Sequence, residues 1–448
     1  MLFISTTGDL AALLLILITF FYLLFSLQSL FYKDTFQVLK PKKTIIFSTL
    51  FIVLIHYLLA VNSVFIQETS LNDSSNFIYW ADFYAHGAHI DGRPLAEYSL
   101  NSSYFLTVGA QLYKQFLSIF ALIFGTSTLF FSCLTIFMFA ISVIFYLKIC
   151  ILLHIRILSG WSIILFGGVP GFLIVTIEPY REIYMILFLM MGVYYGFKYR
   201  LESRIYSFFI SIISLILFGI FHYAAMAMVP FIVAIVLFFP INNNLMQRKK
   251  ILMLILFSCI LIAIIFSPIG NYFFSNGNIG HVFDLFRADS LNAFIDKINA
   301  HKNTLLLSPG GTDYYWDLKK TSLLSLMHSF IQCLIFYMFK PFIWEVNSLS
   351  SLVLSLEGIL RFFLIIFSIV YLIKAESRFR ALYFLLLVIY FFIESIWALG
   401  TINAGTASRH HLVSQWIIIL LGGVGMIEVF RNLIEKSFKF FVSFIGKY

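Results

Sequence analysis

The chain has 448 residues, of which 61% are hydrophobic and 11% charged, with a net charge of +9. Soluble domains carry roughly a quarter charged residues, so these proportions exclude a soluble enzyme. The cationic excess sits in short clusters between apolar runs, as topology determinants do, and gives no reason to expect nucleic acid as a partner.

In chain order, 1–9 contains no Lys or Arg and lacks the basic start of a cleaved signal, so the apolar run at 10–32 is expected to remain as a helix. Further runs lie near 44–66, 127–153, 159–177, 183–198, 205–220, 223–239, 251–268, 350–373, 381–399 and 412–430. Most approach the roughly 20 residues that cross a hydrocarbon core. Lys and Arg gather in "YKDTFQVLKPKK" (32–43), around Arg156, at 198–204, at 247–250, in "KAESRFR" (374–380) and after Arg431. Eleven spans with the N-terminus outside place all of these in the cytoplasm. The expected fold is all-α: one polytopic membrane domain over 1–448, with a basic amphipathic tail at 431–448 on the cytoplasmic leaflet. Residues 205–239 must hold two short spans that turn at "GIFHYAA", with His222 at the tip. A span at 322–341 would put "KAESRFR" outside, so that stretch is expected as a re-entrant or surface helix. Cys133, Cys150, Cys259 and Cys333 lie in apolar runs without CxxC spacing and read as small core residues.

The opposite side then receives two long polar segments, 67–126 and 269–349, with turns at 178–182, 221–223 and 400–411. Chemistry belongs on this extracytoplasmic face, because the cytoplasmic loops are too short to build a site. Within the first segment, 104–125 has the spacing of an amphipathic interfacial helix. In "FKPFIWEVNS" (339–348), Trp344 reads as an anchor at headgroup depth.

Three constellations carry candidate chemistry. Asp82, His86, His89 and Asp91 in "ADFYAHGAHIDG" have spacing suited to a divalent cation or to a solvated loop. No cofactor is expected, and a carboxylate acting as general base is favoured, with Asp82 first and Asp73 second. In "IEPYREIYMILFLMM", Glu178, Arg181 and Glu182 crowd the start of an apolar helix. Acids suit that positive end, whereas Arg181 either snorkels or is held by those acids and an anionic ligand. In "GTASRHHL", Arg409 and His410 stand on the outer side against the positive-inside trend, which a phosphate ligand would reconcile.

The order of these features resembles the GT-C superfamily of integral membrane glycosyltransferases and the related membrane proteins of bacterial surface-polysaccharide clusters, O-antigen polymerases among them. A polar loop with acids ends in "GRPL" and an interfacial helix closes with "IFALIFGTS". A short span runs through "GGVPGFLIVTIEPYREIYMILFLMM", and a late Arg sits in "GTASRHHLVSQWIIILLGG". The resemblance covers 67–200 and 400–430. It implies transfer of a sugar or glycan from a polyprenyl phosphate or pyrophosphate carrier outside the cytoplasm, in the inner membrane. It implies a first-loop acid at Asp73 or Asp82, a helix-foot acid at Glu178 or Glu182, and a phosphate-binding Arg409. Two departures stand out. With Tyr79 as the tyrosine of the family's Asp-x-x-x-Tyr spacing, Ser75 replaces the acid, and two helices precede the loop where one is usual.

The expected function is extracytoplasmic glycan transfer from a polyprenyl-linked donor to a glycan acceptor, as a single-sugar transferase or a repeat-unit polymerase. His222 joins Arg181, Arg409 and His410 among the expected phosphate-side residues. A lipid-linked oligosaccharide flippase is the alternative. It predicts internal repeats and mid-membrane charge, whereas the charges along this chain read as gathering at the membrane faces. A third reading is a non-catalytic partner of other polysaccharide-assembly membrane proteins.

Overall fold

The computed structural model describes residues 7–34, 38–39, 41–66, 77–79, 81–82, 110–156, 160–239, 290–306, 314 and 316–445. Among these the chain builds helices and no strand. In order they are α1 (Thr7–Lys33), α2 (Lys42–Ile66), α3 (Ala110–Phe124), α4 (Thr128–Leu152), α5 (Trp161–Gly168), α6 (Pro170–Ile177), α7 (Glu182–Glu202) and α8 (Ile205–Ile220). There follow α9 (Tyr223–Val233), α10 (Leu291–Leu306), α11 (Leu323–Phe339), α12 (Leu349–Lys374), α13 (Ser377–Gly400) and α14 (Ala404–Ile445). Among the described residues, six helices are long and apolar enough to cross a membrane: α1, α2, α4, α12, α13 and α14. The architecture is that of an all-α polytopic membrane protein.

Burial sorts these helices into centre and rim. The most apolar window is 78% buried in α4 and in α14 but only 22% buried in α1, whose Phe21 and Phe25 point outward. Lipid is as apolar as those side chains, so helix association there relies on close packing. The contact of α12 with α14 shows how close: a Cβ at Gly422 would sit 2.1 Å from the Leu364 carbonyl oxygen. Any larger residue there would push the two helices apart.

The run at 159–177 was expected as one span, and the structure breaks it. Pro170 opens α6 after extended Val169, because a proline has no N–H to continue the ladder of α5. Side chains from elsewhere satisfy the freed groups. His56 of α2 bonds through Nε2 to the Gly167 carbonyl at 2.9 Å, and the Gly171 N–H donates to Glu357 Oε1 of α12 at 2.6 Å. Irregular backbone at membrane depth requires such partners.

Other expectations fare differently. The turn between α8 and α9 falls at Phe221–His222, as expected. The turn before the last helix is shorter than expected: α14 begins at Ala404, so Arg409, His410 and His411 ride on its first turns instead of preceding it. The helix expected within 104–125 spans Ala110–Phe124. The stretch at 322–341 is a 17-residue helix packed along α13, burying Ser329, Cys333, Tyr337 and Met338. Cys133, Cys150 and Cys333 are buried free thiols. The run at 251–268, Cys259, most of the first long polar segment, part of the second (269–289, 307–313 and 315) and the side chains of the tail lie outside the described residues.

Candidate functional site

The foot of α7 is a tight turn. Glu178 ends α6 in extended conformation, the Tyr180 N–H returns to the Glu178 carbonyl at 2.7 Å, and the Tyr113 hydroxyl donates to the Pro179 carbonyl at 2.9 Å. Arg181 is the N-cap of α7 and Glu182 its first residue. Glu182 is buried, with Oε1 at 3.9 Å from Arg181 Nε, the outer limit of an ion pair. Its Oε2 accepts no hydrogen bond from the described residues. A buried carboxylate oxygen with spare acceptor capacity suits an incoming hydroxyl.

Residues far apart in sequence meet this turn. The Arg409 guanidinium, from α14, lies 5.2 Å from the centre of the Tyr180 ring, a cation–π contact. The neighbouring His410 stacks on Trp397 of α13 at 3.9 Å, and its Nδ1 is 3.2 Å from the Thr401 hydroxyl. His222 stands edge-on to both rings, at 4.5 Å from Trp397 and 5.4 Å from His410. His222 Nδ1 accepts from the Ala224 N–H at 3.2 Å and so caps α9. With Nδ1 an acceptor, Nε2 is the nitrogen that carries hydrogen in the neutral ring. Burial pushes the His222 pKa well below the usual imidazole range, and the charges of Arg181, His410 and Arg409 push the same way. The cluster therefore offers two permanent cations and a neutral N–H donor. Trp397 Nε1, buried among them, makes no hydrogen bond among the described residues.

Two guanidinium groups beside a neutral N–H donor form an arrangement that could receive an anion. Guanidinium groups bind phosphate oxygens through planar, charge-assisted hydrogen bonds, strongest where water is excluded. Of the expected residues, the structure brings Arg181, Glu182, His222, Arg409 and His410 together, with Glu178 in the same turn. Asp82 lies on a short helical stretch whose Phe77 meets the rings of Tyr113 at 5.2 Å and Tyr180 at 6.5 Å. The segment bearing Asp82 thus reaches the floor beneath Arg409, with Asp82 half-buried. Asp73, His86, His89 and Asp91 lie outside the described residues. Among the described residues no group of three His, Cys, Asp or Glu is placed to hold a metal ion.

A second constellation lies beside the first and escaped sequence reasoning. His411 Nδ1 is 2.5 Å from Glu394 Oε2, His411 Nε2 is 3.1 Å from the Tyr337 carbonyl, and the Ser414 hydroxyl donates to Glu394 Oε1. A carbonyl only accepts, so Nε2 carries a hydrogen, and the short contact at Nδ1 needs another. Ring and carboxyl together hold one proton more than a neutral imidazole beside a carboxylate, which makes the pair electrically neutral. Arg361 of α12 donates to the Met338 carbonyl and has Glu357 one turn away. Glu357, Arg361, Glu394 and His411 are all buried. Charge here lies inside the helix bundle as well as at helix ends. The signal was present: lone ionisable residues in "SLEGILRFF" and "FFIESIWALG" within otherwise apolar helices.

Compared with family models, curated proteins and solved structures, the chain matches none.

Proposed function

We propose that the chain is a bacterial inner-membrane enzyme that transfers glycan from a polyprenyl-phosphate- or pyrophosphate-linked donor on the extracytoplasmic face. It would act in O-antigen-like surface polysaccharide assembly, as a glycosyltransferase or repeat-unit polymerase of GT-C type. The observation that carries this reading is the convergence of Arg181, Arg409, His222 and His410 from three separate segments at the foot of α7. Glycan transfer from such a donor leaves a phosphate or pyrophosphate, and cations fixed beside it stabilise the charge that develops. Glu182, with its spare acceptor, and Asp82 are the acids to test as the base that takes the acceptor proton. The eleven-span topology, with this end outside and the basic clusters inside, belongs to the same proposal. The test is transfer by the purified protein supplied with undecaprenyl-linked glycans. Lengthened product supports the reading, and intact donor under all conditions refutes it.

The flippase reading has one specific observation in its favour. The α5–α6 break and the buried Glu357, Arg361, Glu394 and His411 are features that transporters place at mid-membrane. Movement of a fluorescent lipid-linked sugar across proteoliposomes, without product formation, would select it.

A further inference from the structure

At the other end of α7 a cavity of ≈ 550 Å³ opens between the C-terminal ends of α1, α4 and α7. Arg181 and Lys198 lie 17 residues apart on this helix, about 26 Å along its axis, close to the thickness of a hydrocarbon core. Three lysines line the cavity, Lys33, Lys148 and Lys198, one from each helix, with Ser26 and Tyr194 between them. Among the described residues none of the three forms an ion pair. Glu202, the carboxylate at the cavity, is engaged by Arg204 at 2.9 Å. Lys33 and Lys198 lie within electrostatic reach of Lys148. The C-terminal ends of three helices favour cations, which accounts for one lysine per helix. Lys148 lies over the Phe145 ring at 4.4 Å and Lys198 over the Tyr194 ring at 5.7 Å, but a ring does not neutralise charge, and three lysines lining one cavity repel one another unless an anion joins them. Phe25, Leu30, Ile151 and Leu152 give the rest of the wall an apolar part, and Phe25 continues onto the outward face of α1.

We propose that this cavity binds the phosphate headgroup of an anionic phospholipid, with its acyl chains along Phe25 and the outer face of α1. A basic pocket between membrane helices, open sideways to lipid, is the arrangement that recognises such headgroups. The site is separate from the cluster at the foot of α7 and needs no glycan transfer. It depends only on this end of the bundle lying at headgroup depth, as the positive-inside topology has it.

Native mass spectrometry of the detergent-purified full chain, titrated with phosphatidylglycerol or phosphatidylcholine, tests it. The wild type should retain one phosphatidylglycerol more tightly than phosphatidylcholine. Each Lys→Gln change at 33, 148 and 198 should weaken that binding roughly fivefold. Ser29→Trp, which fills the cavity from its exposed rim and leaves the lysines in place, should also release the lipid. Inorganic phosphate at equal concentration should not displace it. Retention equal to wild type in either the triple lysine variant or Ser29→Trp overturns the proposal. Equal retention of phosphatidylcholine overturns it too, and displacement by phosphate alone reduces the site to a free-anion pocket.

Discussion

Two polar networks share the first turns of α14 and differ in kind. Arg409 and His410 face the cluster at the foot of α7, where two guanidinium groups meet the acids Glu178 and Glu182, and where Trp397 Nε1 and Glu182 Oε2 make no hydrogen bond among the described residues. His411, the next residue, faces Glu394, Ser414 and the Tyr337 carbonyl in a closed and electrically neutral set. A network that leaves buried polar atoms unengaged is built to receive something. One that balances its own charge is built to stay as it is. Substitutions should therefore split: those in the first should affect transfer and spare folding, and those in the second should do the reverse.

The largest effects should come from the buried pair. His411→Leu leaves Glu394 without its ring partner in the bundle, which costs about 3–5 kcal/mol and should appear as a large drop in thermal stability in detergent. Glu394→Gln should be far milder. Its amide can donate to Nδ1 while its carbonyl still accepts from Ser414, so the change should stay within about 1 kcal/mol. Equal loss in the two variants would mean that the pair is held as separate ions.

Next in size are the candidate acids, Glu182 in the first network and Asp82 on the segment that reaches it. Glu182→Gln and Asp82→Asn test the general base, a role worth roughly 10²–10⁴ in rate. One of them should lose transfer to that degree, with melting temperature and donor binding unchanged. Activity near wild type in both would move the role to Glu178 or to Asp73. Arg181 sharpens the comparison further. Loss of a charge-assisted hydrogen bond to phosphate is worth about 1.5–3 kcal/mol, so Arg181→Gln should weaken donor use in proportion. A snorkelling arginine would tolerate Arg181→Lys without change.

The smallest effect is on pH. His222 is held neutral by burial and by the cations beside it, so its folded pKa lies below its unfolded one. The unfolded chain then binds the extra proton first, and stability rises with pH. The contribution is fully present above about pH 6.5 and is lost as pH falls toward the depressed value. Melting temperature should drop between pH 7.5 and 5.5, and less so in His222→Asn, which keeps the helix cap. An unchanged drop would place the sensitivity elsewhere.

How legible all this was depends on the kind of constraint. Apolar runs and basic clusters reveal helices, because hydrocarbon length and charge placement act locally. The break at Val169–Pro170 was visible as a proline but not as a break, since its stability depends on His56 and Glu357 from other helices. Arg181, His222, Arg409 and His410 stood out because each is costly at a membrane face. Their meeting point is a property of the tertiary fold. His411 was read with Arg409 and His410 as one cluster, and Glu394 was passed over because a single charge scarcely lowers the mean hydropathy of a long apolar helix. Only the contact between α13 and α14 reveals that they neutralise each other.

The central claim is that the cation cluster grips the phosphate of a lipid-linked donor, and donor titration of purified Arg409→Lys against wild type tests it most directly. Lysine keeps the charge but not the planar two-pronged geometry. The account predicts a raised half-saturating donor concentration with melting temperature unchanged, and a larger rise in Arg409→Ala. Titration curves superimposable on wild type in both variants would contradict it.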